Sequence, residues 1–194
     1  MGKTLPTNQL TLPLRVPAGR AAPPADARPC IISSEIGAED QQALLGLFAR
    51  SSPETRRDRF HHALSVFPQL YLDEIVSGKQ LAVAARDTCH EESYGKVFGL
   101  ASAATVAAGV AEFAVWVEDA WQGRGVGTLL TRAILRLLAQ QHISTAIGIT
   151  EPDNLAIRRL VNRIAPGATT RPEGGMLIVT VPLTDLAAEP DARS

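Results

Sequence analysis

The sequence predicts a mixed α/β (α+β) domain: a central, mostly antiparallel sheet flanked by helices, with one strand–loop–helix unit at its middle. Three observations predict it. Short apolar runs at 81–84, 97–106 and 110–117, separated by glycine or charged turns, read as three successive antiparallel strands. Val126, Leu129, Leu130, Ala133, Ile134, Leu137 and Leu138 then repeat at i, i+3, i+4, i+7, i+8, i+11 and i+12, an amphipathic helix whose stripe needs a flat apolar partner. Thr128, Thr131, Arg132 and Arg136 fall on its other faces. Three glycines, Gly123, Gly125 and Gly127, join strand to helix.

The remaining elements follow in order. Residues 1–28 are rich in proline and alanine without periodicity and read as an irregular or disordered arm. Order begins with the β-branched Cys30-Ile31-Ile32 and breaks at Gly37. A helix over 39–50 places Leu44, Leu47 and Phe48 on one face. Ser52-Pro53-Glu54 reads as a second helix start: serine caps the free amides, proline fits the first helical position, and glutamate favours the positive end. A third helix is expected to set Phe67, Leu70, Tyr71 and Ile75 on one side before Gly78. Beyond the long helix come a strand at 144–149, a helix after Asn154 burying Ile157, Leu160, Val161 and Ile164, and a closing strand at 176–181. The chain thus divides into an arm (1–28), a single domain (29–185) and a flexible tail (186–194), with no internal repeat.

Bulk properties narrow the function. With 19 Lys+Arg against 20 Asp+Glu the formal net charge is -1, so no overall basic field exists to hold nucleic acid or an anionic membrane. An anion site must be local. The two cysteines, Cys30 and Cys89, form no Cys-x-x-Cys pair, which fits a reducing compartment better than a disulfide scaffold. No apolar run approaches the roughly 20 residues of a membrane span. Pro6, Pro13, Arg15 and Pro17 interrupt any signal-peptide core, and a cytoplasmic location is expected.

The chemistry-bearing stretch is Gln122-Gly123-Arg124-Gly125-Val126-Gly127-Thr128. Glycine is costly in ordered structure, so this density needs a reason. Without Cβ atoms the main chain can curl its N–H groups into one concavity, and the helix starting there adds unpaired amides and the positive end of its dipole. Together they make a phosphate-sized anion cradle, with Arg124 in reach. A P-loop would need Lys before Ser or Thr after its last glycine, and Gly127 is followed directly by Thr128. The dinucleotide fingerprint fails too, because its third glycine would fall on Thr128.

What fits is Gln-x-x-Gly-x-Gly. On Gln122, Gly125 and Gly127, between a strand and a helix, the sequence resembles the GNAT superfamily of N-acetyltransferases, over about residues 29–183. Ser52-Pro53-Glu54-Thr55-Arg56, followed by Arg59-Phe60, resembles a helix of bacterial Pat-type protein-lysine acetyltransferases. The resemblance implies acetyl-CoA as cosubstrate, no metal, and a primary amine as acceptor, a small molecule or a protein lysine. It implies that amides from Gln122 through Gly123, Arg124, Gly125, Val126 and Gly127 to Thr128 hold the pyrophosphate. It further implies that the main chain of Val115, Trp116 and Val117 pairs with the pantetheine arm, in a V between this strand and residues 144–149. Asn154 matches a family position that meets pantetheine or a catalytic water, and a helix cap explains it equally well.

An ammonium must lose a proton before it attacks a thioester, so a base is wanted near the acceptor. Glu112 is the candidate: it interrupts an apolar strand, where burial would raise its pKa, and Pat-type enzymes take an acidic residue of this strand as base. The alternative is a carboxylate on a half-solvated strand face, or one satisfied by a nearby arginine. Period-2 geometry groups Glu112 with Val110, Ala114 and Trp116. Many relatives place a general-acid Tyr where this chain has Val161, and their Gly-Phe after the last helix is missing. A non-catalytic acetyl-CoA sensor is therefore the rival reading. His61 and His62, about 100° apart on a helix, do not chelate and read as solvent-facing or substrate-rim residues. The Arg-rich second helix reads as a solvated face, and Trp116 and Trp121 as packing anchors. Tyr71 and Tyr94 are available to an acceptor pocket, His90 and His142 read as loop and helix-end residues, and the oligomeric state is open between monomer and homodimer.

Overall fold

The computed structural model describes residues 31–87 and 95–184, with side chains from Glu35 onward in the first strand. The expected arm, the whole of the expected tail, and Cys30, Cys89, His90 and Tyr94 lie outside the described residues. Seven strands are described: β1 (Ile31–Glu35), β2 (Leu81–Asp87), β3 (Val97–Ala107), β4 (Val110–Val117), β5 (Thr145–Thr150), β6 (Thr169–Glu173) and β7 (Met176–Pro182). They form one sheet in the order β1-β2-β3-β4-β5-β7-β6. All neighbours are antiparallel except β4 and β5, which are parallel. Among the described residues five α-helices flank it: α1 (Gln41–Arg50), α2 (Pro53–Phe60), α3 (Gln69–Val76), α4 (Val126–Gln140) and α5 (Leu155–Ile164).

Each sheet face has its own core. On one, Leu44, Leu47, Phe48, Phe67, Leu72 and Ile75 of the α1–α3 layer meet Val97, Leu100 and Trp116. On the other, Val126, Leu130, Ile134, Leu135 and Leu138 of α4 meet Phe98, Ala101 and Phe113. Each buried leucine, isoleucine, valine or phenylalanine among them contributes about 1.5–3 kcal/mol by leaving water. The helix lies close to β3 because position 99 is glycine: a Cβ there would stand 2.8 Å from Leu130 Cδ1.

Several expectations are corrected. Leu70 is exposed and Leu72 buried, because Pro68 caps α3 and Phe67 fills the core from the preceding turn. On α4, Thr131 and Leu135 are buried, so the packed stripe is broader than the heptad-like pattern. Thr131 tolerates this by donating to Gly127 O at 2.7 Å. The strand at 176–182 does not close the sheet, since β6 adds an outer edge. That edge is exposed throughout and carries Pro172, a composition an edge strand accepts and a sequence pattern does not reveal.

Candidate active site

The site grows from one break in pairing. Parallel contact between β4 and β5 covers Val110↔Thr145, Ala111↔Ala146 and Glu112↔Ile147 and then ends. Beyond it β4 keeps pairing with β3 as far as Val117↔Gly99, and β5 with β7 as far as Thr150↔Leu177. From Phe113 to Val117 the β5-facing edge of β4 therefore has no strand partner, and the two strands diverge as a V. A cavity of about 510 Å³ occupies the gap, lined among others by Ala114, Val115, Trp116, Val117, Gly148 and Thr150.

The glycine loop stands at the end of the cavity where β4 finishes. Trp121 anchors its start by stacking on Phe98, with ring centroids 4.2 Å apart and planes 15° from parallel. Gly123 and Gly125 take φ of +70° and +86°, the left-handed region that favours glycine. A Cβ on either would meet no protein atom within 4 Å, so the hollow above them is open. Gly125 caps α4, and the first helical amide with an acceptor is Leu129 N, 3.0 Å from Gly125 O. The helix supplies no acceptor for the amides of Val126, Gly127 and Thr128. These three donors, at the positive end of a fifteen-residue helix, suit an anion. Gln122 differs from expectation: its amide is engaged by Asp119 O at 3.2 Å. Its side-chain amide donates to Thr55 Oγ1 and to Val117 O, both at 3.1 Å. The Arg124 guanidinium lies over the Trp121 ring, 5.7 Å from its centroid.

Helix α2 lines the cavity with Asp58, Arg59 and Phe60, as does His61 at its C-terminal cap. It starts as the sequence predicts, Ser52 Oγ accepting from Thr55 N at 3.1 Å. A contact not legible in the sequence fixes it to the loop. Asp119 accepts from Ser52 N at 2.8 Å, Ser52 Oγ at 2.7 Å and Thr55 Oγ1 at 2.8 Å. Burial pushes the Asp119 carboxyl up, but the hydroxyl and amide of Ser52 and the hydroxyl of Thr55 outweigh it and hold the group below its usual 3.8. Asp58 moves the other way: burial first, then Glu151, raise it above 3.8, against the opposing pull of Arg57.

Glu112 lines the cavity but is exposed, against the expectation of burial. Its β3 partner is Ala104, and the following Thr105 to Ala107 are exposed because α1–α3 do not cover that end of the sheet. The face grouping with Val110, Ala114 and Trp116 agrees with Trp116 packing in the α1–α3 core. Trp116 also donates from Nε1 to Ser51 Oγ at 3.0 Å. Asn154 lines the cavity and caps α5, its Oδ1 accepting from Ile157 N at 3.1 Å. Val161 is buried in the cavity wall. His61 ends α2 in a left-handed conformation and faces the cavity; His142 has the same φ of +59° just after α4. Among the described residues no group of three or more His, Cys, Asp or Glu is arranged to hold a metal, and no helix is long and apolar enough to cross a membrane.

A family model described as "Acetyltransferase (GNAT) family" matches residues 43–164, more than half of the chain and all of the loop and V. The chain belongs to the GNAT acetyltransferase family. No curated protein sequence matches it significantly. This GNAT chain superposes on the GNAT domain of S. lividans PAT with a TM-score of 0.69 at 19% identity, covering 78% of this chain and 90% of that one. It is similar to yncA from Salmonella typhimurium, solved with its cofactor acetyl-CoA (TM-score 0.62, 18% identity, 84% and 99% covered). It also resembles the ribosomal-protein-S18-alanine N-acetyltransferase from Escherichia coli (TM-score 0.59, 15% identity, 84% and 99% covered). At these identities the likeness is one of GNAT fold.

Proposed function

We propose that the chain transfers the acetyl group of acetyl-CoA to a primary amine. One observation carries the reading: the unpaired β4 edge of the V runs directly into three amides that α4 leaves without acceptors. A pantetheine arm wants an extended backbone edge, and a pyrophosphate wants convergent N–H donors, in that order along one path.

In this reading Val126, Gly127 and Thr128 hold the pyrophosphate, with Gly123, Arg124 and Gly125 shaping the loop. Val115, Trp116 and Val117 present the backbone edge to pantetheine. Gln122 acts by bracing the loop against Thr55, and Asn154 by starting α5 beside the cavity. Acetyl-CoA supplies the activated acyl group. Glu112, directly or through water, takes a proton from the acceptor ammonium so that the amine can form the new C–N bond. As an exposed carboxylate it acts through position and not through burial. The departing thiolate takes its proton from water, since Val161 has none to give. The Pat-type resemblance adds a protein lysine as one such acceptor.

A second reading, acetyl-CoA binding without turnover, draws on the apolar Val161 in the cavity wall. Thiol release over a panel of amines and lysine peptides decides between them: acceptor-dependent release supports transfer. Acetyl-CoA binding with no release across the panel supports a sensor. Stabilisation by ATP or NAD and not by CoA compounds contradicts both.

A further inference from the structure

The cavity wall contains a cation that this mechanism does not use. Arg59 projects from α2 with its guanidinium 4.8 Å from the Phe60 ring centroid and 4.7 Å from that of Tyr71. These rings meet edge to face, 5.7 Å apart and at 86°. The guanidinium makes one side-chain hydrogen bond among the described residues, a long one from Nη2 to Ser102 Oγ at 3.4 Å. Ser102 is itself engaged with Tyr71 Oη at 2.9 Å. No described carboxylate lies within 4.0 Å of Arg59, although this chain pairs Arg50 with Glu118 at 2.8 Å and Arg86 with Asp40 at 2.6 Å.

A guanidinium has five N–H donors in a plane matched to a carboxylate. Here the ring faces fix it, one donor is weakly used, and the group is partly withdrawn from water. Withdrawing a cation without an anionic partner is unfavourable, and a fixed fork loses little freedom when one arrives. The strand register says where the partner must lie. Ser102 pairs with Ala114, and Ala104 with Glu112. Ser102, the sheet residue under Arg59, thus lies opposite Ala114, which shares a face with the candidate base Glu112 two residues away along β4. Diagonal positions of this kind, Ser102 on β3 and Glu112 on β4, are about 7–8 Å apart. That is the order of an amine and a nearby carboxylate with a hydrogen bond of about 2.9 Å at each end.

We propose that Arg59 is a carboxylate-binding residue of the acceptor site, so that the amine acetylated by this chain carries a carboxylate close beside it. The carboxylate belongs to a free amino acid or to an acidic residue next to the acceptor in a peptide.

The proposal rests on the acetyl-transfer reading above, and its test separates the two. Matched acceptors differing only in the carboxylate are compared: amino acids with their α-carboxamides, and blocked peptides with lysine beside glutamate or beside glutamine. Amidation also changes the amine's own basicity, so the measured quantity is the kcat/KM ratio within each pair, wild type against Arg59→Gln. We expect one pair class to favour its carboxylate member in wild type, with that preference falling about 10- to 100-fold in the variant. The class that responds identifies the source of the carboxylate. Arg59→Lys, which keeps the stem and the charge, should fall between, and thermal melting verifies that both variants are folded. Equal ratios in wild type and Arg59→Gln overturn the proposal and leave acetyl transfer standing. The same pairs are titrated calorimetrically into the CoA-bound protein. Carboxylate-dependent binding lost in Arg59→Gln, with no thiol release, supports the anion site and contradicts transfer. No carboxylate-dependent binding and no rate preference contradicts the anion site.

Discussion

The side-chain amide of Gln122 donates to the hydroxyl of Thr55 at 3.1 Å, joining the glycine loop to helix α2 in the cavity lining. Thr55 passes the connection on by donating to Asp119 at 2.8 Å, and Asp119 also holds the start of α2 through Ser52. The segment that would hold the cosubstrate and the helix that would meet the acceptor are therefore one braced unit.

Replacing Thr55 by valine keeps its shape and removes both bonds. We expect a loss of about 1–2 kcal/mol in urea unfolding, from two hydrogen bonds at a buried position. The KM for acetyl-CoA should rise as the loop loses its brace. Unchanged stability and KM would show the contact to be incidental.

The two displaced carboxyls predict opposite pH behaviour. Asp119 is held below 3.8 when folded, so it stabilises the fold at neutral pH, and this contribution is lost as pH falls through the folded-state value. Asp119→Asn should therefore melt lower at pH 7, with the deficit shrinking below pH 3.8. Asp58 is held above 3.8, so its contribution is full below 3.8 and lost as pH rises through the folded-state value. Asp58→Asn should melt slightly higher at pH 7 and lose that advantage in acid.

Gly125 sits at φ +86° with open space where a Cβ would stand. Any L side chain there costs about 1–2 kcal/mol in backbone strain and projects into the hollow proposed for the pyrophosphate. Gly125→Ala, and more strongly Gly125→Val, should weaken acetyl-CoA binding by isothermal titration. Gly127 has helical φ, and its Cβ would make ordinary contacts at 3.8 Å to Leu160 and 3.9 Å to Val117, so Gly127→Ala should bind nearly as wild type.

Glu112→Gln should reduce kcat while leaving the affinity for acetyl-CoA close to wild type, because the side chain is exposed and takes part in no packing of the loop. General-base removal typically costs about 10²–10⁴-fold in rate. Full turnover on a productive acceptor would remove Glu112 from the mechanism.

What the sequence discloses and what it hides divide along chain separation. The α4 helix, the Ser52 cap and the turn at Gly123 to Gly127 are local patterns, and the structure reproduces them, with α4 burying Thr131 and Leu135 beyond the expected stripe. The divergence of β4 from β5 after Glu112 is a matter of pairing between distant segments and leaves no local mark. The exposure of Glu112 was hidden for a related reason: a strand's apolar neighbours do not reveal which end of the sheet the helices leave bare. The Thr55–Asp119 contact spans 64 residues of chain, and Arg59 looked like one more cation on a solvated face. Only the fold brings it over Tyr71 from the next helix.

The central claim is that the amides of Val126, Gly127 and Thr128 bind the diphosphate of acetyl-CoA. Backbone ¹⁵N–¹H spectra of the labelled chain during acetyl-CoA titration measure it directly. The account predicts that these three resonances, with Gly123 and Gly125, undergo the largest saturable shifts, and that desulfo-CoA reproduces them. Saturable binding that leaves all three unmoved would contradict it.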